Sequence, residues 1–387
     1  MGRSPATIRP TRSGDEALPV APAERIDGID VLRGLALLGV LVIYTVFEFR
    51  VSIFEQLLPS SGTEAGIDRA LKDFLAAAVE LKALALFSFL FGVGLAIQFD
   101  RLAGNPRRFI LLLRRLAILL VIGMVHLFLI WNGDILVEYA IAGFVVLPFL
   151  RAPRWLVLLA AGTALWLYLA VMPAIVQFPS HAWIWAHIAE ANRVYGDGGF
   201  LDVLAFRIRE VPPTYPMLVL VFPRTIALFL FGVLAWRTKI LLQPEAHRAF
   251  LLILAVGGLL IGGGLTVAEQ WHLGGVVLAF GYAAIVIGCV SYPAGLRMLA
   301  WAAPLGRMAF TNYLTQSVIL GWIFYGYGLG LFGRLSVTAA LAIALALYAA
   351  QVAFSAWWLR RYRYGPIEWL WRSLMYGKRQ PMAVTAG

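Results

Sequence analysis

Ten apolar stretches of roughly 20 residues divide the chain, at about residues 31–49, 80–99, 109–131, 134–150, 155–176, 216–236, 249–268, 273–292, 305–325 and 335–359. A run of that length matches the hydrocarbon thickness of a bilayer when wound as an α-helix. Backbone N–H and C=O groups have no water partners in lipid, so a chain with this pattern folds as a helical bundle, every span satisfying its own hydrogen bonds. Composition agrees: 61% of the 387 residues are hydrophobic and 14% charged, where soluble domains carry about 25% charged residues. The fold class expected is all-α, a polytopic transmembrane helical bundle of about ten spans.

The basic residues set the orientation. Of the 32 Lys and Arg, 23 fall on one side of the alternating loops: the N-terminal segment, then the groups at 101–115, 151–154, 237–248, 297–307 and 360–379. The positive-inside rule makes that side cytoplasmic and places both termini there. A net charge of +11 spread over loops in this way reads as topology, and no nucleic-acid partner is expected. Residues 1–28 are polar and proline-rich without a signal-peptide pattern, and read as a flexible cytoplasmic tail. Residues 29–378 form one transmembrane domain with an outward loop or lid at 177–215, and 379–387 a short cytoplasmic tail. The single cysteine, Cys289, excludes an internal disulfide. His181, His187 and Glu190 match no zinc spacing, and no metal is expected. A shorter echo joins "SFLFGVGLA" at 88–96 to "LFLFGVLA" at 228–235.

Ionisable side chains inside spans are costly and point to function by default. The stretch "GMVHLFLIWNGDILVEYA", 123–140, carries His126, Asn132, Asp134 and Glu138. Asn132-Gly133 is a turn signal between two antiparallel spans, and Asp134 suits the N-cap of the returning helix. His126 and Glu138 then sit at one depth, roughly 6–8 Å inside the outer end, and Asp134 and Glu138 share an i, i+4 spacing. A histidine beside a carboxylate is the arrangement of a general base, so the catalytic candidates are His126, Asp134 and Glu138. Bridging between helices is the alternative for each.

Two further groups are candidate binding residues. Asp30 and Arg33 open the first span at i, i+3, and with Arg107 and Arg108 of the basic loop they are placed to hold an anionic donor; a snorkelling Arg33 is the plainer reading. Asn312 and Gln316, at i, i+4 in "GRMAFTNYLTQSVI", either line a cavity or tie helices together.

The segments "RIDGIDVLRGLALLGVLV", "FSFLFGVGLAIQ", "RRLAILLVIGMVHLFLIWNGDILVEYAIAG", "GRMAFTNYLTQS", "YGYGLGLFG" and "GPIEWLWR" resemble the YeiB-like family of bacterial inner-membrane proteins, whose function is unassigned. They span nearly all of Arg25 to Lys378, with Tyr44 standing where that family shows asparagine. The first-helix pattern Asp30 to Arg33-Gly34 is also distantly similar to transmembrane acyltransferases of the heparan glucosaminide N-acetyltransferase type. That similarity implies acyl transfer from a cytoplasmic donor, acyl-coenzyme A, to an extracytoplasmic hydroxyl or amine of a saccharide or envelope component. No permanently bound cofactor is implied. The histidine those enzymes use in their first outward loop has no counterpart between Arg50 and Glu80, so His126 is the base expected here. A transporter using the same polar residues is the rival expectation, and a bundle without chemistry the third.

Overall fold

A computed structural model describes residues 27–58 and 66–384. The expected N-terminal tail lies, up to residue 26, outside the described residues, as do 385–387. Among the described residues fifteen helices follow in order, beside short 3-10 turns at Ile53–Leu57 and Ala300–Ala302. The first seven are α1 (Asp27–Phe49), α2 (Ile67–Ala78), α3 (Lys82–Arg101), α4 (Arg108–Ile130), α5 (Leu136–Leu150), α6 (Arg154–Ile175) and α7 (His181–Asp197). The remainder are α8 (Phe200–Arg237), α9 (Pro244–Val267), α10 (Trp271–Val290), α11 (Pro293–Leu299), α12 (Ala303–Arg307), α13 (Ala309–Phe324), α14 (Val337–Leu359) and α15 (Pro366–Tyr376). Among the described residues the only β-pairing is an isolated bridge, Tyr362 to Ala383, which folds the chain after residue 379 back onto the end of α14.

All ten apolar runs are helical. Among the described residues eight helical segments are long and apolar enough to cross a membrane, α2 and α3 counting as one. The two remaining runs are α5, a shorter apolar helix, and α13, whose 16 residues carry buried Thr311, Asn312, Gln316 and Ser317. Each buries its polar side chains against the bundle, where they are tolerated.

The connection 177–215 is not an irregular loop. It forms α7 and the outer part of α8, a helix of 38 residues with Pro212, Pro213, Pro216 and Pro223 inside it. At 1.5 Å per residue α8 is about 57 Å long, so it crosses a bilayer core of about 30 Å and projects well beyond it, with α7 packed on the projecting part. Ser180 caps α7 by accepting from the Trp183 N–H.

Glycine sets a close crossing of α3 and α8. A Cβ at Gly92 of α3 would lie 2.1 Å from the Phe229 carbonyl oxygen of α8, and one at Gly232 of α8 would lie 2.2 Å from the Phe89 carbonyl oxygen of α3. The two halves of the sequence echo therefore pack on each other, each "FLFG" presenting its glycine to the other's phenylalanine backbone. The small residues permit backbone contact that lipid-like side chains would prevent.

The loops assigned to the basic side neighbour one another. Arg237 donates to the carbonyls of Ala152 (2.7 Å) and Leu150, the Trp236 indole donates to Asp100 (2.7 Å), and the Trp371 indole to the Arg115 carbonyl (2.9 Å). At the opposite end the Gly326 N–H donates to the Tyr195 carbonyl (2.7 Å), Thr338 bonds Asp68 (2.6 Å), and Arg334 pairs with Asp197. The two sets of loops stay at their own ends, as the charge alternation requires.

Candidate functional site

The α4–α5 hairpin builds the centre of the site. The last turn of α4, His126–Ile130, is a π-turn, closed by the Trp131 N–H donating to the His126 carbonyl (2.7 Å); such turns often accompany functional positions. Gly133 allows the Trp131 ring to fold over the turn, since a Cβ there would lie 2.2 Å from the indole. Asp134 then makes two bonds. Its Oδ2 accepts from the Val137 N–H (2.7 Å), the expected cap, and its Oδ1 lies 2.8 Å from His126 Nδ1. Both side chains are completely buried.

Glu138 does not join them. It accepts from the Thr225 hydroxyl of α8. The helix begins only at Leu136, so Asp134 precedes it and the i, i+4 spacing does not put the two carboxylates on one face. Glu138 belongs to a second buried group with Arg224 and Thr225 on α8, near the Tyr168 hydroxyl, which sits 2.6 Å from His272 Nδ1.

Aromatic rings enclose the dyad. A second π-turn, Tyr44–Phe49 in α1, brings Tyr44 edge-on to Trp131 (centroids 4.5 Å) and stacks Phe49 on the same ring (4.5 Å). Tyr313 of α13 lies 5.3 Å from the His126 ring and 6.3 Å from Tyr44. His126 Nε2 has no hydrogen-bond partner among the described residues.

A cavity of about 320 Å³ enters from the basic end and stops at this layer. Its inner wall is Leu136, Tyr139 and Tyr313; its outer part carries six arginines, Arg33, Arg101, Arg115, Arg307, Arg363 and Arg372. Arg33 pairs with Asp30 (3.3 Å), and Arg115 stacks on Trp371, its guanidinium carbon 3.8 Å from the ring centroid. So many guanidinium groups in a partly enclosed space favour a polyanion. Glu368 of α15 lies on the wall. It accepts from the N–H groups of Phe310 (2.8 Å) and Thr311 (3.0 Å) at the start of α13 and from the Thr311 hydroxyl. Burial pushes its carboxyl above the usual carboxylate range, against the hydrogen bonds, which pull it down.

Other expected binding residues lie elsewhere. Arg107 and Arg108 are not on the cavity wall; Arg108 stacks on Phe99 at 4.2 Å, and Arg107 is exposed. Asn312 donates to the Ser355 hydroxyl (3.0 Å) and Gln316 to Gln351 (2.7 Å), tying α13 to α14. Their polarity is used between helices because an interhelical bond is the cheapest way to satisfy a buried amide in an apolar bundle.

Beyond Trp131, toward the opposite end, lies a small cleft of about 10 Å³ lined by Glu48, Trp131, Asn132, Tyr195, Glu210 and Tyr325, among others. Glu210 of α8 accepts from Asn132 Nδ2 (2.7 Å) and the Tyr195 hydroxyl, and lies 2.7 Å from His187 Nε2. His187 is thus held in a histidine–carboxylate pair, while Glu190 pairs with Arg209 (3.0 Å). Among the described residues no group of three His, Cys, Asp or Glu could hold a metal ion.

The chain is 36% identical to the uncharacterized protein YxaH of Bacillus subtilis (strain 168), an alignment covering 94% of this chain and 98% of that protein. It is 29% identical to the uncharacterized protein YeiB of Escherichia coli (strain K12), over 91% of this chain and 96% of YeiB. A family described as "Protein of unknown function (DUF418)" matches residues 235–378. The chain belongs to the YeiB-like DUF418 family. An uncharacterized 39.9 kDa protein from the amylase 3' region of Bacillus acidopullulyticus is 30% identical over 94% of this chain. The stretch matched to DUF418 holds Arg307, Tyr313, Arg363, Glu368 and Arg372, and the hairpin bearing His126 and Asp134 precedes it.

Sequence reasoning missed five of the six cavity arginines, the two tyrosines beside His126, and the Glu210 cluster. The arginines were visible only as topology signals, because their convergence joins residues more than 300 positions apart. Tyr313 had no local mark in its regular helix, and the π-turn that carries Tyr44 depends on tertiary packing. For this DUF418 protein the signal that did survive was the polar intrusion at 126–138.

Proposed function

We propose that this protein is an integral-membrane acyltransferase of the bacterial cytoplasmic membrane, with ten spans and both termini inside. A single arrangement supports the reading: the buried His126–Asp134 dyad sits one aromatic ring beyond the blind end of a six-arginine cavity. An anionic acyl thioester such as acyl-coenzyme A would enter from the cytoplasm, its phosphates against Arg33, Arg115 and their neighbours and its acyl arm reaching Tyr313. The acceptor, a hydroxyl or amine of a saccharide or other envelope component, would approach from the outer cleft past Trp131.

The chemistry follows from the dyad. With Asp134 as a carboxylate, both its oxygens accept, so His126 Nδ1 carries the proton and Nε2 presents a lone pair. Nε2 takes the proton of the acceptor X–H as X bonds to the thioester carbonyl carbon. The C–S bond then breaks, and the departing thiolate receives that proton from Nε2. Asp134 stabilises the intervening imidazolium. Loss of acetyl-coenzyme A binding and turnover in the purified protein on Arg33→Ala/Arg115→Ala and His126→Ala respectively is the expected result; full turnover by His126→Ala would remove the reading.

One observation favours a second reading. The inner cavity and the outer cleft approach a single closed layer, Tyr44, Trp131 and Tyr313, from opposite ends, as the occluding layer of an anion transporter would. Uptake of a labelled anion into proteoliposomes, insensitive to His126→Ala, would favour transport over transfer.

A further inference from the structure

Tyr313 packs near both His126 and Tyr44, and each of the three side chains carries a buried polar atom that makes no ordinary hydrogen bond. His126 Nε2, the Tyr313 hydroxyl and the Tyr44 hydroxyl are all buried without a bond of ordinary geometry. The two hydroxyls approach each other, and that of Tyr313 also lies near the Ile135 backbone, without completing one. Buried tyrosine hydroxyls normally find a partner, and an orphaned acceptor costs about 1–3 kcal/mol. All three side chains are more than nine-tenths buried, and Tyr313 also lines the inner cavity.

The set has a definite chemical shape: two O–H donors and one nitrogen acceptor. An acyl carbonyl accepts two hydrogen bonds as its oxygen gains charge, and a nucleophile X–H donates one. We propose that Tyr313, with Tyr44 beside it, is the oxyanion-stabilising residue of the transfer reaction, and that its ring is the barrier keeping water in the cavity from His126. The proposal rests on the acyl-transfer reading and adds the group that touches the reacting carbonyl. In the balanced step, X–C bond formation moves the carbonyl π electrons onto oxygen, where the Tyr313 and Tyr44 hydroxyls meet them. Collapse of the tetrahedral species returns those electrons and expels the thiolate, which takes the proton from His126 Nε2. Donors fixed in place before the reaction stabilise the charged state without reorganising.

Hydroxyl and ring are separable. The probe is acetyl-coenzyme A, with full-length purified protein in detergent and thiol release as the readout. Tyr313→Phe keeps the ring and is expected to lower kcat by about 10²–10³-fold with KM within about twofold of the wild type. Tyr44→Phe is expected to lower kcat in the same sense. Tyr313→Ala opens the cavity to His126, and its thiol release without acceptor is expected to exceed that of Tyr313→Phe. Thermal unfolding of each variant identifies any that has lost its fold. A folded Tyr313→Phe with wild-type kcat, or one altered in KM alone, overturns the assignment while leaving acyl transfer standing. A wild-type protein that neither binds nor turns over acetyl-coenzyme A removes the acyl-transfer reading and the role of Tyr313 with it.

Discussion

Asp134 serves folding and chemistry through different oxygens, so two substitutions separate them. Asp134→Ala removes both bonds. The Val137 N–H at the start of α5 loses its cap, worth about 1 kcal/mol within a range of 0.5–2. His126 Nδ1 is left unpaired in a site the solvent does not reach, worth about 1–3 kcal/mol. Together these amount to a destabilisation of about 1.5–5 kcal/mol, with the upper end reduced if the two losses share a single relaxation of the hairpin. Asp134→Asn differs. Its amide oxygen still accepts from the Val137 N–H, and its NH₂ donates to Nδ1. Stability then falls by about 1 kcal/mol or less, but the proton moves to Nε2, and the lone pair needed for a base disappears. The corresponding substitution in serine proteases lowers kcat by about 10⁴, and a loss of that order is expected here. The assays are thermal unfolding in detergent at one pH and acetyl-coenzyme A turnover. An Asn variant as unstable as the Ala variant, or one that keeps its activity, would refute the division of labour.

Three further outcomes are expected. Replacing Arg33 and Arg115 together by alanine weakens acetyl-coenzyme A binding at least tenfold, since charge-assisted bonds contribute about 1.5–3 kcal/mol each, and the loss shrinks in high salt; titration calorimetry at two ionic strengths checks this. Gly92→Val forces a side chain into the Phe229 backbone and destabilises by about 1–3 kcal/mol or more, whereas Gly162→Val, with nothing within 4 Å of its Cβ, leaves the unfolding temperature nearly unchanged. Glu368 has its carboxyl raised in the folded protein, so the native state holds its proton more tightly than the unfolded chain. Its contribution is complete below the ordinary carboxylate value of about 4.3 and is lost as pH rises through the raised folded value. The unfolding temperature of wild type minus that of Glu368→Gln therefore falls with rising pH across that window; a difference that rises would contradict the assignment.

The hairpin shows where local reasoning held and where it stopped. Asn132-Gly133 as turn and Asp134 as cap were legible because turn and cap chemistry act within four residues. The partner of His126 was not. Choosing Asp134 over Glu138 depended on where α5 starts, two residues after Asp134, and helix boundaries shift with packing. That the outward connection 177–215, expected as a loop or lid, is helical was not legible for a related reason. Pro212, Pro213 and Pro216 are helix breakers in isolation, yet the helix runs through them, as helices within a packed bundle can.

The sequence by itself determined the all-helical class, the ten apolar segments and the two-sided distribution of charge, since bilayer thickness and backbone desolvation act on every span separately. It also marked His126, because a titratable group in an apolar run is conspicuous in any fold. Only the tertiary structure decided that Arg33 and Arg372 share one cavity, that Asn312 and Gln316 are spent between helices, and that Tyr313 packs against the His126 ring with Tyr44 next to it. Those are relations between distant residues, set by which helix faces meet, and faces meet according to where glycine lets two backbones touch, as at Gly92 and Gly232.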